Sequence, residues 1–492
     1  MRSLPTRREI VFVAALLATC FLFFRLTTDA TETIAEDTSS WSNRPQWFRG
    51  NSPSPNTPKP ESKFRVSDNR PLRVPQPEDG ARDSQLVSFG DGQLPTTDII
   101  VHVPGWTVFE NLYLFNGTIY IVTNEPQNIP DRMLLTSSGA WIFNEPKDVA
   151  ERTPTDADMQ IITPEKAKEV FGSYAAWLDG TSFISTDPDQ FVHHYYHWCA
   201  ELFFGLWRTY SLLDPSIDEE GHTDLPAPRR IMFSHVASDQ FRDYASITQW
   251  FTQAVFPAVS LEFEQEWVDR SAMTRPFLLE RVVLGDRAAA MHTPMFQLTQ
   301  RTNAELFKLA GSPYWWSTIR NSFVQFAGHD PSAKSRAVIT YISRQTWPRR
   351  KLIDADHDTL VAALEKLSEE HGYELNIVSM ENLSREEQIR LAGRTTIMMG
   401  VHGNGLTSLL WMKPSNKATV IEFFYPGGFA QDYEWTTRAL GMKHYGVWGN
   451  QYFTAPDLPP IAYPEGFQGN EIPIDGEMVA RLCHERLSLP DN

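Results

Sequence analysis

The densest group of reactive side chains lies in HYYHWCAELFFGLWR, His194 to Arg208. His197 and Glu201 are four residues apart, which places both on one face of a helix. A histidine held by a carboxylate can serve as a general base with an orienting partner, and the carboxylate can equally serve as the base. A His–Glu pair that only steadies its helix fits the same spacing. His193 precedes His197 by four residues, a spacing that would suit zinc. No HExxH occurs and no distant third ligand stands out, so no metal ligands are assigned.

A second group lies in MMGVHGNGLTSLLW, Met398 to Trp411. An apolar run enters a glycine-rich turn and then a helical pattern. Gly403 and Gly405 let a ligand approach the backbone, and free N–H groups at a helix start attract an anion. Gly400, Gly403 and Gly405 are spaced G-x-x-G-x-G, which is neither the dinucleotide fingerprint nor a P-loop. A turn that needs glycine only for space remains open. YISRQTWPRRKL places Arg344, Arg349, Arg350 and Lys351 after a strand-like run, where guanidinium forks could hold phosphate or form a solvated basic loop. Glu422 sits inside the apolar run VIEFFYP and needs partners there, either a structural arginine or ligand hydroxyls such as a ribose.

Three D-x-D triplets occur: Asp156-Ala157-Asp158, Asp187-Pro188-Asp189 and Asp354-Ala355-Asp356. Such pairs can hold a divalent ion beside a diphosphate. They also arise cheaply in an acidic chain, and none clearly ends a buried strand. The absence of G-x-S-x-G leaves a nucleophile-elbow hydrolase without support.

The 492 residues suffice for two ordinary domains, and 41% apolar content can fill their cores. The 44 Lys and Arg against 61 Asp and Glu give a formal charge of −17, which argues against general nucleic-acid binding. Three cysteines cannot form a disulfide scaffold, though Cys199 and Cys483 are a conceivable pair. Arg2, Arg7 and Arg8 precede an apolar run from Ile10 to Phe24 with no small-x-small cleavage site, so a signal anchor is favoured over a cleaved signal peptide. The following Pro- and Ser-rich stretch lacks periodicity and reads as a flexible stem.

The expected organisation is a cytosolic tail (1–9), a transmembrane helix (10–26) and a stem (27–97). An acceptor-side domain (98–330), a nucleotide-sugar-binding domain (331–460) and a C-terminal tail (461–492) packing back on the first domain follow. A globular body on a stalk suits the lumen of the Golgi or endoplasmic reticulum as a single-pass type II protein. Sequons at Asn116 and Asn382 could be glycosylated there. The body opens with β-rich runs and turns at Pro104-Gly105 and Asn116-Gly117. Tyr195 to Leu213 reads as a buried helix, RRIMFSHV and ERVVLGD as strands, and FRDYASITQWFTQAVF as a helix. Beyond Ser335, strand-like RAVITYISR, YELNIVS, TTIMMGVH and ATVIEFF alternate with helix-like DTLVAALEKLSEEHG, LSREEQIRLAG and GLTSLLWMK. Gly372 reads as a helix stop, and Ser384 with Glu387 as a capping box. This alternation predicts an α/β protein with a parallel, doubly wound sheet whose ligands sit beyond the strands' carboxyl ends.

In matching order, these residues resemble glycosyltransferase family 61. The correspondence rests on His197-Trp198 with Glu201, Ile342-Ser343-Arg344 with Arg349 and Arg350, Gly400 with His402-Gly403-x-Gly405-Leu406-Thr407, and Val420-Ile421-Glu422. VPGWTVFENLYLFNGTIYIV resembles the family's opening strands, and the likeness runs from about Asp98 to Gly446. Asn404 departs from the pattern, where Ala is commoner. The resemblance implies two Rossmann-like domains facing across a cleft (the GT-B type), a UDP-sugar donor, inversion at the anomeric carbon and no obligatory metal. Family relatives make xylose or N-acetylglucosamine the expected sugar and a glycan or glycoprotein the expected acceptor. Ser343, Arg344, Arg349, Arg350, Gly403, Asn404, Gly405, Leu406, Thr407 and Glu422 would then bind donor. His197, Glu201 and His402 would be catalytic. A catalytically inactive carbohydrate-binding or scaffold protein of the same fold is the alternative.

Overall fold

The computed structural model describes residues 86–88, 94–143, 146–172, 174–333 and 336–490. The expected anchor and nearly all of the stem lie outside them. Among the described residues no helix is long and apolar enough to cross a membrane.

The first sheet contains β1 (Leu86–Ser88), β2 (Asp98–Val103), β3 (Trp106–Phe115), β4 (Thr118–Val122), β5 (Met159–Ile162), β6 (Tyr174–Pro188), β7 (Arg230–His235), β8 (Ser260–Glu262) and β9 (Phe277–Gly285). Its main path is β5-β4-β3-β9-β6-β7-β8. The expectation of a Rossmann-like sheet needs correction here, because β3 runs antiparallel to β2, β4 and β9. Two-residue turns at Pro104-Gly105 and Asn116-Gly117 force the β2–β3 and β3–β4 pairings, since a parallel neighbour requires a long crossover. Gly105 takes φ +80 in the first turn, and an added Cβ would meet Asp286 O at 2.3 Å. Beyond β9 the pairing becomes parallel through β6, β7 and β8.

The second sheet contains β10 (Val338–Ile342), β11 (Glu374–Val378), β12 (Ile397–Val401), β13 (Thr419–Phe423), β14 (Lys443–Trp448) and β15 (Gln451–Phe453), in the order β11-β10-β12-β13-β14-β15. Its first five strands in that order are parallel, as the helix-separated pattern predicts, and β15 closes the edge antiparallel. The chain moves from β10 to β11 on one side and then to β12 on the other. A topological switch point therefore lies at the carboxyl ends of β10 and β12.

The helix Asp354–His371 stops at Gly372, whose φ is +70, and buries Leu360, Leu364 and Leu367. The helix Arg385–Arg394 has the expected capping box of Ser384 and Glu387. GLTSLLWMK forms a 3₁₀ helix over Asn404–Trp411. In FRDYASITQWFTQAVF only Thr248–Val255 is helical. Ser246 adopts φ +57, and the Asp243 carboxylate accepts the N–H groups of Ile247 and Thr248, which holds the chain in a turn before the helix.

One apolar cluster contains core residues from both sheets' helices, including Phe203, Phe204, Phe251, Trp316, Phe323 and Trp411. Trp411 also donates its indole N–H to Tyr195 Oη at 2.7 Å. The final helix, Gly476–Leu487, joins the separate cluster around Leu360 and Leu364. The chain end thus packs over the second sheet, where a return to the first was expected. Cys199 and Cys483 are free thiols buried in these two different clusters, so the conceivable disulfide is absent.

Candidate active site

HYYHWCAELFFGLWR is helical throughout its functional part, but His197–Leu202 forms a π turn before the α-helix Phe203–Ser211 begins. Such turns interrupt an α-helix most often where a side chain must be aimed. The helix buries Trp198, Leu202, Phe203 and Leu206 in the core and leaves His197 half-buried. His197 Nδ1 lies 2.6 Å from Glu201 Oε2.

Glu201, only 6% exposed, is the hub of an ion-pair network. Arg301 Nη1 donates to its Oε1 at 2.7 Å, and Arg287 Nη1 reaches Oε2 at 3.4 Å. Burial pushes this carboxyl up, but His197, Arg301 and Arg287 outweigh burial and hold it well below the ordinary carboxylate range. Glu201 is therefore ionised and a weak proton acceptor. Asp187 fixes Arg287 by accepting from Nε at 2.6 Å and from the backbone N–H at 2.7 Å. Arg301 also donates to Asp432 Oδ1 at 2.9 Å, which ties the first sheet's helix to the helix Asp432–Ala439 after β13. Tyr433 packs against both Tyr196 and His402, with ring centroids 5.1 and 5.5 Å apart.

His402 follows β12 at the switch point. Its Nδ1 lies 2.5 Å from Glu422 Oε1, while His444 Nε2 lies 2.9 Å from Glu422 Oε2. Glu422, with 0% exposure, thus has two imidazole partners in place of the arginine or ribose offered by its sequence setting. Burial, then Arg350, lowers His402 to about 3; burial lowers His444 to about 3 as well. Burial, reinforced by Asp432 and Glu434, raises Glu422 well above its ordinary value.

Arg344 and Arg350 approach the same histidine, since both depress its basicity. Arg344 Nε is buried with no hydrogen-bond partner, and its guanidinium stacks 5.2 Å from the Trp347 ring. Arg350 takes φ +55, its N–H donates to Gly469 O at 2.6 Å, and its Nε bonds Gln468. Burial lowers Arg350 to about 10 and lowers Arg344 in the same direction. Among the described residues no carboxylate forms an ion pair with either. Two desolvated guanidiniums at a switch point are suited to an anion with several oxygens.

The glycine-rich turn leaves them room. A Cβ on Gly403 would stand 3.1 Å from Arg344 Nη1, and one on Gly405 would stand 3.1 Å from Ile342 Cγ2. Thr407 Oγ1 donates to Asn404 Oδ1 at 3.1 Å, while Leu406 and Thr407 are buried. Ser343 Oγ accepts the Gln345 N–H at 3.4 Å, and Arg349 is exposed. Asn116 and Asn382 are both exposed. His193 is exposed, and His194 Nε2 bonds Tyr244 Oη at 3.1 Å.

The D-x-D triplets are engaged locally. Asp156 pairs with Arg132, Asp158 accepts the Thr155 N–H, Asp189 accepts the Trp141 indole N–H, and Asp356 accepts the Ile474 N–H. One expectation fails: Asp187 does end a buried strand, and it braces Arg287. Sequence reasoning discounted Asp187 and missed Arg287, Arg301, Asp432 and His444. His444 carried the same signal as Glu422, a polar residue within a strand; Arg301 and Asp432 carried none.

Residues 195–421 match the model of the family described as Glycosyltransferase 61, a stretch that includes both the His197–Glu201 helix and the switch point. The chain is also similar to the EGF domain-specific O-linked N-acetylglucosamine transferase of Drosophila melanogaster. The two are 37% identical over 94 residues, which cover 19% of this chain and 16% of that relative.

Proposed function

We propose that this chain is an inverting glycosyltransferase that moves a sugar from a UDP-sugar to a hydroxyl of a glycan or glycoprotein. The observation that carries this reading is the pair of half-buried guanidiniums of Arg344 and Arg350, which no carboxylate among the described residues pairs, beside His402 at the switch point. The arginines and the glycine turn would seat the diphosphate, with no metal needed to balance its charge. His197 is the base. Glu201 is already bonded on both oxygens and strongly acidic, so it orients the imidazole with Nδ1–H donated to it and Nε2 free to accept. His197 Nε2 takes the acceptor proton as the acceptor oxygen bonds to the anomeric carbon. The bond from that carbon to the β-phosphate oxygen breaks, and the diphosphate leaves with its electron pair.

The two sheets would act as donor and acceptor halves of a GT-B arrangement. The basic-then-apolar N-terminus supports a Golgi or endoplasmic reticulum protein of type II topology. Xylose and N-acetylglucosamine lead as donors, the second also being the sugar in the name of the Drosophila relative. The test is UDP release by the purified luminal body from a panel of UDP-sugars with glycan and glycoprotein acceptors, with and without EDTA. Release with one donor, unaffected by EDTA, is expected. No turnover with any pairing would favour a carbohydrate-binding or scaffold role, and strict dependence on Mn²⁺ would remove the metal-free part.

A further inference from the structure

Resting on the proposed function, a second device stands behind the donor site. His402 just beyond β12, Glu422 on β13 and His444 on β14 form a line, with bonds of 2.5 and 2.9 Å. Glu422 is wholly buried, and its only ion-pair partners among the described residues are these two imidazoles. Asp432 and Glu434 add negative charge around it, while Arg350 opposes them. A carboxylate in that setting is costly, and the neutral acid is favoured.

The atoms also specify where the protons sit. His444 Nδ1 is buried and has no hydrogen-bond partner. An unmatched lone pair costs less there than an unmatched N–H beside a second buried charge, so His444 is neutral and donates Nε2–H to Glu422 Oε2. Glu422 then carries its own proton on Oε1 and gives it to His402 Nδ1. That leaves His402 with its N–H on Nε2. Arg344, Arg350 and Arg301 lie around His402 and disfavour an imidazolium, while Asp432 is the opposing charge; Tyr433 packs on its ring. Arg438 adds further positive charge near His444.

We propose that Glu422 stores a proton for the leaving diphosphate and passes it to His402 when that diphosphate is released from the sugar. As the bond from the anomeric carbon to the β-phosphate oxygen breaks, one negative charge appears beside the arginines. The Glu422 proton crosses from Oε1 to His402 Nδ1, and the resulting imidazolium donates Nε2–H to the diphosphate. The acceptor proton stays on His197, and no proton enters or leaves the His402–Glu422 pair. His402 is the catalytic residue of this device; Glu422 supplies its proton and His444 is a positioning residue.

Difference infrared spectroscopy on adding UDP, the product bearing the developed charge, tests the proposal. The wild-type protein should lose a protonated-carboxylic-acid band on binding, and Glu422→Gln should lack that change. Glu422→Gln should also lower kcat by about 100-fold with donor KM within about threefold, since its amide can hold the His402 tautomer but has no proton to give. Binding of UDP without loss of an acid band overturns the proposal and leaves the functional reading intact. Failure of calorimetry to detect binding of UDP or any other nucleoside diphosphate to the wild type overturns both. If Glu422→Gln does not fold, His402→Gln decides: it keeps the acid but removes its acceptor, so its band should be present and unmoved by UDP. Loss of that band in His402→Gln would place the proton transfer elsewhere and overturn the assignment.

Discussion

Glu201→Gln separates an orienting carboxylate from a base. The substitution keeps the side chain's shape and removes its charge at a site only 6% exposed. Arg301 would retain Asp432 at 2.9 Å and Arg287 would retain Asp187 at 2.6 Å, so neither guanidinium is left unpaired. The stability loss should therefore stay near 1–3 kcal/mol, the cost of an impaired buried hydrogen-bond set. Stranding a buried charge would cost about 3–5 kcal/mol. Catalysis should suffer more. A glutamine amide can donate to His197 Nδ1 and move the imidazole proton to Nε2, which blocks the atom that must accept. The expected fall in kcat is about 10²–10⁴-fold, the usual weight of a positioned base. Because the two residues act as one unit, Glu201→Gln combined with His197→Gln should be little worse than either alone. The assay is the initial rate of UDP release at saturating donor and acceptor, with a denaturation midpoint to confirm folding. A folded Glu201→Gln protein with kcat within about threefold of wild type would refute the orienting role. Loss of activity in Glu201→Gln with retention in His197→Gln would make Glu201 the base.

Other perturbations test the donor seat, the core and the buried imidazoles. Arg344→Ala and Arg350→Ala should each weaken donor binding by about 10- to 100-fold, the value of a charge-assisted contact, while Arg349→Ala, at an exposed position, should change donor KM far less. Equal effects from all three would count against a site built on half-buried guanidiniums. Gly205→Ala should destabilise the protein by about 1–3 kcal/mol in urea denaturation, because the new Cβ would stand 2.2 Å from the Trp106 ring. A neutral result would mean that the ring can move aside. Acid should weaken the fold early. Folded His194, His402 and His444 are all depressed below 6.5, so the unfolded chain takes up three protons that they do not as pH falls through 6.5. Folded Glu422, raised above its ordinary value, keeps one proton that the unfolded chain lacks. The depressed histidines make stability present above pH 6.5 and lost as pH falls below it, while Glu422 opposes that trend. Denaturation midpoints that do not change between pH 7 and 5 would contradict neutral buried imidazoles.

The local elements were readable wherever neighbouring residues decide them. Gly372 had to stop its helix because φ +70 is easy only for glycine, and Ser384 with Glu387 closed a capping box through contacts three residues apart. Alternating apolar runs and helices implied the parallel strands of the second sheet, because parallel neighbours need crossovers. The antiparallel pairing of β2, β3 and β4 follows from the short turns between them, which are visible in the sequence. The helix expected from Phe241 failed because Asp243 captures backbone N–H groups and Ser246 turns left-handed, a competition that apolar periodicity does not register.

The candidate site divides the same way. His197 with Glu201, Arg344 with Arg350, and the Gly403–Gly405 turn are sequence neighbours, so their spacing alone suggested their chemistry. Arg301 and Asp432 are 131 residues apart and meet only because the two sheets' helices pack together. Glu422 announced a need for partners, but His402 and His444 became those partners through the register of three adjacent strands. The sequence by itself determined which residues could carry charge, close a turn or cap a helix, since those properties depend on covalent structure and near neighbours. Only the tertiary structure decided which charges were neutralised and which were left bare, because burial and long-range pairing set the balance between desolvation and Coulomb attraction.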